Sequence, residues 1–317
     1  MNKKTHNANR QLHSILQHNV LIYRDDQNHP TVSGNKLHKL SPNLELAINS
    51  GCHGVVSFGG PYSNHLHALA WACKSRTLAS VGIIRGELHS KLTPTLKDCS
   101  QWGMSLVAMN RAKFRECQEW ISQTNQAQPT ATPIFSHQLL PNIFPQLPEN
   151  FLIIPEGGSN QLAIQSLAQA YEPLFEQAEY AEVTHAVCAT GTGATLAGLR
   201  LAAPKGVSVL GIQAVAEGDA TLKRIHDWLG TSSLDSNESA LSIIPGHLGG
   251  FAKTTTELLE FINDAETVYG VPLDPIYNAK VLFALENLAC SGYFSSTDKI
   301  LVIHTGGLQG NRGIAFK

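Results

Sequence analysis

The stretch VTHAVCATGTGATLAGL, residues 183–199, indicates the fold class. It begins with an apolar run typical of a buried strand and continues through two glycines into a helical pattern. Small residues in such a turn let backbone N–H groups point at an anion, which the positive end of the helix dipole also favours. Leu196 stands where a dinucleotide-binding turn has its third glycine. We therefore expect the loop within residues 189–199 to bind a single phosphate, with a plain tight turn as the alternative.

Apolar runs and helical patterns alternate along the rest of the chain. This rhythm predicts an α/β fold with parallel sheets covered by helices on both faces, and ligands of such folds bind at the carboxyl ends of strands. The polar, proline-rich segment 123–150 is expected to form a crossing or a lid between two domains. The strand-like runs lie at 54–58, 79–85, 104–109, 151–155, 183–189, 207–215 and 299–304, and the helical patterns at 64–75, 92–102, 111–124, 160–177, 194–203, 254–268 and 278–291. Before them, NVLIY (19–23) reads as a short strand followed by a polar turn, and KLHKLSPNLELAIN (36–49) reads as a helix.

The composition excludes several classes of protein. The 317 residues carry a formal net charge of -2 and no basic excess, so a nucleic-acid partner is not expected. No apolar stretch approaches the ~18 residues that span a bilayer, and the polar N-terminus lacks a signal core. Six scattered cysteines without a CxxC pair indicate reduced thiols in a cytoplasmic protein. His65 and His67, two residues apart, would lie on different sides of a helix, so no metal site is expected.

Three more strand-like runs end in glycine pairs, and one lysine lies at a helix entry. The pairs occur in residues 57–72, 155–162 and 304–310. In the first of them, Ser63 either caps a helix or contributes to an anion site at the helix start. Lys36, in SGNKLHKL at 33–40, is either a surface charge or a nucleophile. The helix dipole and burial would both disfavour its ammonium form.

One cofactor would use all of these features. Pyridoxal 5'-phosphate (PLP) needs a lysine, a phosphate anchor and a partner for its ring nitrogen. Backbone-lined glycine turns with nearby hydroxyl and amide groups suit such a ligand. The alternative is a nicotinamide-dependent oxidoreductase, because Glu217 lies roughly where a dinucleotide site places its ribose-binding acid.

Six motifs in a fixed order resemble one family of enzymes. They are YRDDQNHPTVSGNKLHKL, FGGPYSNHLHALA, PEGGSN, ATGTGAT, LDPIYNAK and HTGG, and they span residues 23–307. The chain resembles the 1-aminocyclopropane-1-carboxylate deaminase and D-cysteine desulfhydrase family of PLP fold type II. The resemblance implies a tryptophan-synthase-β-like fold with a smaller inserted domain at 45–150 and a larger PLP-binding domain at 1–44 and 151–317. It also implies a small amino-acid substrate and a homodimer.

The same resemblance implies roles for individual residues. Lys36 would form the Schiff base, Ser63 would lie beside the substrate, and Tyr277 would act as a catalytic or gating phenol. Asn64 would bond the phenolic oxygen of the cofactor. Asn278 and Thr305 would also contact the cofactor, and the Asn278 amide is expected to donate to the ring nitrogen. The phosphate would be held by Thr190, Gly191, Thr192, Gly193, Ala194 and Thr195.

Four departures from the family pattern bear on the substrate. His38, Tyr62 and Phe251 replace an arginine, a glutamine and, in an alignment with gaps, a second tyrosine. Asn278 replaces the glutamate of the deaminases and the threonine of the desulfhydrases. An amide does not hold a proton on the ring as a carboxylate does. We therefore expect α,β-elimination from a small D-amino acid such as D-cysteine, giving pyruvate, ammonia and sulfide. Deamination of aminocyclopropane carboxylate and PLP binding with little catalysis are the alternatives.

Overall fold

The structure, a computed structural model, describes residues 19–126, 150–215, 219–230, 240–249 and 253–313. Within these ranges the chain divides into two compact units. Unit 1 comprises residues 19–27 and 167–311, and unit 2 comprises residues 28–166 together with residues 312–313. The strands and helices, in chain order, are β1 (Asn19–Tyr23), α1 (Asn35–Asn49), β2 (Gly54–Gly59), α2 (Asn64–Lys74), β3 (Ala79–Arg85), α3 (Pro94–Gln101), β4 (Met104–Met109), α4 (Arg111–Gln126), β5 (Phe151–Ile154), α5 (Gln161–Tyr171), β6 (His185–Thr190), α6 (Ala194–Ala202), β7 (Ser208–Gln213), α7 (Ala220–Leu229), β8 (Leu241–Pro245), α8 (Thr256–Tyr269), α9 (Asn278–Cys290) and β9 (Lys299–Ile303).

Unit 2 contains a parallel sheet that is buried on both faces. Its strand order is β4-β3-β2-β5. Successive residues of a strand point to opposite faces, so a strand covered on both sides must be apolar throughout. In β2, Val55 packs in a core shared with α1, α2 and α3, whereas Val56 and Phe58 pack against Phe114 of α4. The run GVVSF is therefore apolar because each of its faces meets a helix layer.

Unit 1 contains a second parallel sheet, with strand order β1-β9-β6-β7-β8. Val187, Leu210 and Val302, from its three central strands, lie in one core with residues of α8 and α9. The two parallel sheets covered by helices confirm the predicted α/β fold. All eight predicted strand runs are present with bounds within about two residues, whereas β8 and α7 were not predicted.

The compact units divide at other residues than the predicted domains. The predicted inserted domain, 45–150, leaves out β5 and most of α1, yet both belong to unit 2. Strand β5 is hydrogen-bonded to β2, and Leu40 and Leu44 of α1 share a core with Leu66 of α2. The pairing of β5 with β2 therefore places β5 in unit 2, and the second boundary of that unit lies at residue 166, inside α5.

The structure also bears on the expectations for the cysteines and for membrane-spanning helices. Five of the six cysteines are buried and Cys290 is exposed, as free thiols. Within the described ranges, no helix has the length and apolar character to cross a membrane. The predicted lid, 123–150, lies almost wholly outside the described residues.

Candidate active site

Lys36 is the second residue of α1, and Asn28 fixes the turn that precedes it. Gly34, the N-cap of α1, has φ of 66°, a left-handed value that glycine adopts at no steric cost. The Asn28 side chain accepts from the N–H of Gly34 at 3.0 Å and donates to its carbonyl at 3.2 Å. The Nζ atom of Lys36 donates to Oδ1 of Asn35. The half-buried Lys36 thus follows a turn in which the N–H and the carbonyl of Gly34 are both hydrogen-bonded to the side chain of Asn28.

Ser63 caps α2, the helix that begins with Asn64. Its Oγ accepts from the N–H of Leu66 at 3.2 Å. A Cβ atom on Gly59 would lie 2.6 Å from that Oγ, so the close approach requires glycine at the end of β2. Capping uses the oxygen as an acceptor only, and a hydroxyl also has one hydrogen to donate. The cap is therefore compatible with contact between Ser63 and a ligand.

Replacing Ser63 with glycine separates these two roles. Glycine is tolerated at an N-cap at a cost of only a few tenths of a kcal/mol, whereas alanine costs about 1 kcal/mol. If Ser63 contacts the substrate, Ser63→Gly should lower kcat/KM by about tenfold or more, the loss of one hydrogen bond to a charged group, with little change in Tm. Steady-state kinetics and thermal melts measure both quantities.

A matched control for this prediction lies in unit 1. Thr255 caps α8 in the same way, with Oγ1 accepting from the N–H of Leu258 at 3.1 Å. Thr255→Gly should leave kcat/KM unchanged. Equal kcat/KM for Ser63→Gly and the wild-type protein would mean that Ser63 serves only as a helix cap. The same comparison of kcat/KM and Tm tests Asn64 with the variant Asn64→Ala.

His65 and His67 contact different partners. Nε2 of His65 lies 2.7 Å from Ser57 Oγ, whereas Nε2 of His67 lies 3.0 Å from Asp98 Oδ2. Asp98 also accepts from Arg312 at 2.6 Å, and these two bonds lower the pKa of its carboxyl against the effect of desolvation. Among the described residues no cluster of three metal-ligating side chains occurs.

The loop after β6 has the features of an anion site. Gly193, the N-cap of α6, has φ of 97° and provides no side-chain capping bond to the first turn. The Oγ1 atom of Thr190 is buried and has no hydrogen-bond partner among the described residues. Arg224 of α7 donates to the carbonyl of Thr192 at 3.0 Å and brings a positive charge to the loop. Thr195 and Ala194 begin the helix as buried residues.

Tyr277, the N-cap residue of α9, lies against this loop. A Cβ atom on Gly191 would be 3.5 Å from Cε1 and 3.9 Å from the hydroxyl oxygen of Tyr277. The glycine therefore leaves room for the ring, and unit 1 brings together the predicted phosphate loop and the predicted catalytic phenol. Phe251 lies outside the described residues.

Asn278 is held by bonds that use its whole amide. Its Nδ2 donates to Asp274 Oδ1 at 2.6 Å and to the carbonyl of Gly306 at 2.7 Å. Its Oδ1 accepts from the N–H of Thr305 at 3.0 Å and lies 3.3 Å from the Thr305 hydroxyl. An amide nitrogen has two hydrogens, so Asn278 in this position has none for a ring nitrogen. This arrangement therefore does not provide the expected bond from Asn278 to the ring nitrogen. Asn278 instead links the start of α9 to the loop after β9 by hydrogen bonds.

The sequence analysis did not predict the burial of three polar residues. Asp274 accepts four N–H bonds, from the backbone of Ile276, Tyr277 and Asn278 and from the Asn278 side chain. Lys280 is 1% exposed, and burial lowers its pKa from the ordinary 10.5 to about 8. Lys39 is 3% exposed and donates to the carbonyl of Gly157 at 3.3 Å. Aspartate before a helix signals such a cap, but the burial of a lysine has no local sequence signal.

These residues fit PLP on structural grounds. A phosphate suits the α6 N-terminus, where a left-handed glycine and the helix dipole lie, three residues after Thr190, whose hydroxyl has no partner in the described part of the chain. Unit 2, taken by itself, contains a primary amine near the start of α1, that of Lys36. An anion site and a primary amine are groups that a PLP-binding α/β protein requires.

Comparison with known proteins agrees with this class. Residues 8–306 match the family described as pyridoxal-phosphate dependent enzyme, and the chain belongs to that family. Its cofactor is therefore pyridoxal 5'-phosphate. A putative 1-aminocyclopropane-1-carboxylate deaminase of Thermotoga maritima is 28% identical over 302 residues, which cover 92% of this chain and 89% of that protein.

Two further relatives carry more specific names. A bifunctional D-cysteine desulfhydrase/1-aminocyclopropane-1-carboxylate deaminase of Arabidopsis thaliana is 29% identical over 91% of this chain and 72% of its own length. A D-cysteine desulfhydrase of Klebsiella pneumoniae is 24% identical over 92% of this chain and 88% of its own. A solved structure of an ACC deaminase homologue superposes with a TM-score of 0.72 at 24% identity, covering 96% and 88% of the two chains. These similarities confirm the predicted family resemblance and the fold type.

Proposed function

We propose that this enzyme catalyses α,β-elimination of a small D-amino acid such as D-cysteine, releasing pyruvate, ammonia and sulfide. Bound PLP supplies an electron sink for negative charge on the substrate α-carbon, and the sink is stronger when the ring nitrogen is protonated. The proposal depends on the groups that this chain offers to that nitrogen.

The polar cluster at the start of α9 supports a weak electron sink. Asp274 is the carboxylate beside Asn278, and both of its oxygens already accept N–H bonds. Asn278 is neutral, and its amide is committed. We propose that the Thr305 hydroxyl, also neutral, turns its one hydrogen from Oδ1 of Asn278, 3.3 Å away, to the ring nitrogen when PLP is bound. A hydroxyl does not keep a proton on that nitrogen, so a substrate whose β-substituent leaves readily is favoured.

The remaining residues bind and orient. Lys36 would bond the cofactor covalently and, once released, carry the α-proton. Residues 190–195 would hold the phosphate, and Asn64 would donate to the phenolic oxygen. Ser63 would bind the substrate carboxylate. Tyr277, whose ring lies over Gly191, would move a proton at the substrate as a general acid or base.

Deamination of 1-aminocyclopropane-1-carboxylate is the second candidate activity. The name of the Thermotoga relative favours it, and the Arabidopsis relative carries both activities in its name. Ring opening has no good leaving group, so it needs the stronger electron sink that the neutral side chains of Asn278 and Thr305 do not supply. PLP binding with little catalysis is the third candidate. The predicted homodimer and cytoplasmic location stay predictions.

A product assay separates these candidates. We expect kcat/KM for D-cysteine to exceed that for aminocyclopropane carboxylate by about tenfold or more, a difference of ~1.4 kcal/mol in the barrier. Sulfide, ammonia and 2-keto acid should be measured for both substrates with the same protein, and L-cysteine serves as the stereochemical control. A preference for aminocyclopropane carboxylate would overturn the proposal, and no product from either substrate would favour the third candidate.

A further inference from the structure

His65 is a buried histidine whose tautomer the structure fixes. The hydroxyl of Ser57 has one hydrogen, and its Oγ lies 2.7 Å from the carbonyl oxygen of Ile154, which only accepts. The same Oγ lies 2.7 Å from Nε2 of His65. Because the Ser57 hydrogen goes to Ile154, Nε2 must carry a hydrogen and donate it to Ser57. The lone pair of the neutral ring is therefore on Nδ1.

That lone pair has no partner among the described residues. Nδ1 of His65 is a buried atom without a hydrogen bond, and the residue is only 2% exposed. A buried acceptor left unpaired is costly compared with the same group in water. An unpaired buried acceptor of this kind calls for a functional explanation. The hydrogen-bond donors near Nδ1 are the candidates for its partner.

The ring lies beside the face of α1 that carries the two lysines. Lys36 and Lys39 are three residues apart, so they share one face of the helix. A Cβ atom built on Gly158 would lie 3.3 Å from Nδ1 of His65 and 3.4 Å from Cβ of Lys39, which places the imidazole next to that face. Lys39 donates to Gly157 and Ser159.

The charges around His65 agree with this placement. Burial lowers the pKa of His65 well below the ordinary 6.5, and the positive charges of Lys36 and then Lys39 lower it further. The imidazole therefore stays neutral at pH 7. It can accept a hydrogen bond from an ammonium group without taking the proton.

We propose that His65 is a positioning residue for Lys36: on release from the cofactor the amine turns away from Oδ1 of Asn35, which accepts from it in this structure, and donates a hydrogen bond to Nδ1 of His65. The proposal rests on the role of Lys36 in the proposed function. No covalent bond changes and no proton is transferred. The bond holds the released amine in one orientation and stabilises its ammonium form relative to the neutral amine.

Two substitutions separate the two ring nitrogens. In His65→Gln the longer amide can reach the place of Nε2 and keep the bond to Ser57, but it leaves no acceptor at Nδ1. In His65→Asn the shorter amide can place its oxygen near Nδ1 and loses the bond to Ser57. If His65 were only structural, His65→Gln, which keeps the bond to Ser57, would not change the reactivity of Lys36 more than His65→Asn does.

The measurement is the acetylation rate of Lys36 in the full-length protein freed of PLP, read by peptide mass spectrometry. Without the acceptor, the ammonium form of Lys36 is less stable and more neutral amine is present at pH 7. We expect the rate to rise about tenfold in His65→Gln, one pKa unit or 1.36 kcal/mol, and to stay within twofold of wild type in His65→Asn. The exposed Lys74 of α2 is the internal control, and circular dichroism checks that each variant is folded.

Three results would overturn the proposal. They are an unchanged Lys36 rate in His65→Gln, an equal rise in both variants, and an Nδ1–H tautomer in the ¹⁵N spectrum of the wild-type protein, which needs no variant to fold. Borohydride labelling of another lysine would instead refute the proposed role of Lys36 and leave the acetylation result standing. The two failures are therefore distinguishable.

Discussion

Replacing Lys36 with alanine is expected to abolish covalent attachment of PLP and to lower turnover by at least about 10³-fold. The loss combines the nucleophilic amine with its role as a general base, which alone is worth about 10²–10⁴-fold. Borohydride reduction of the wild-type protein, followed by peptide mapping, should place the label on the peptide that contains Lys36. The variant should show no label and no absorbance band of lysine-bound cofactor.

Lys39→Ala is the matched control, because Lys39 lies on the same face of α1. Its bonds to the carbonyl of Gly157 and to Ser159 predict a loss of stability when it is removed. The borohydride label on Lys36 should nevertheless remain. A label on Lys39 in the wild-type protein, with Lys36 unmodified, would reverse the assignment.

Tyr277→Phe should lower kcat by about 10²-fold or more, the range for loss of a general acid or base. Phenylalanine keeps the ring that lies over Gly191 and removes only the hydroxyl, so the packing of α9 should be retained. Single-turnover kinetics with D-cysteine would separate a slow proton transfer from slow product release, and the thermal melt should stay near that of the wild-type protein.

Tyr293→Phe removes the same hydroxyl from an exposed tyrosine that lies three residues beyond the C-terminal end of α9. It should leave turnover unchanged. Wild-type activity in Tyr277→Phe would exclude proton transfer by this phenol, and a fall in KM together with kcat would point to gating of the substrate instead.

The sequence predicted the fold class well because the sheets are parallel and buried on both faces. Such strands read as continuous apolar runs, as GVVSF and ASVGIIR do. Strand β8, LSIIP, was missed because it is short, follows a polar segment and is only partly buried. The domain boundaries depended on which strands pair, and the partnership of β5 with β2 has no signal in either strand alone.

For the candidate site, the sequence named residues, and the structure adds the hydrogen bonds that these residues make. Motifs located Lys36, Ser63 and the 190–195 loop because glycine and capping residues leave a local pattern. The direction of the Asn278 amide depends on Asp274 and on a loop 27 residues later, which no local pattern reveals. His65 was considered only as a metal ligand, since nothing in the sequence shows that Ser57 and Ile154 would fix its tautomer.

The pairing of β1 with β9 constrains when the protein can finish folding. Asn19 pairs with Lys299, about 280 residues later in the chain. At roughly 5–20 residues per second, the ribosome needs on the order of tens of seconds to add the segment that separates them. Unit 2, which begins at Asn28, can form its four-stranded sheet during that interval. Strand β1 must instead wait, with its apolar side chains uncovered, until β9, the last of the described strands, has been made.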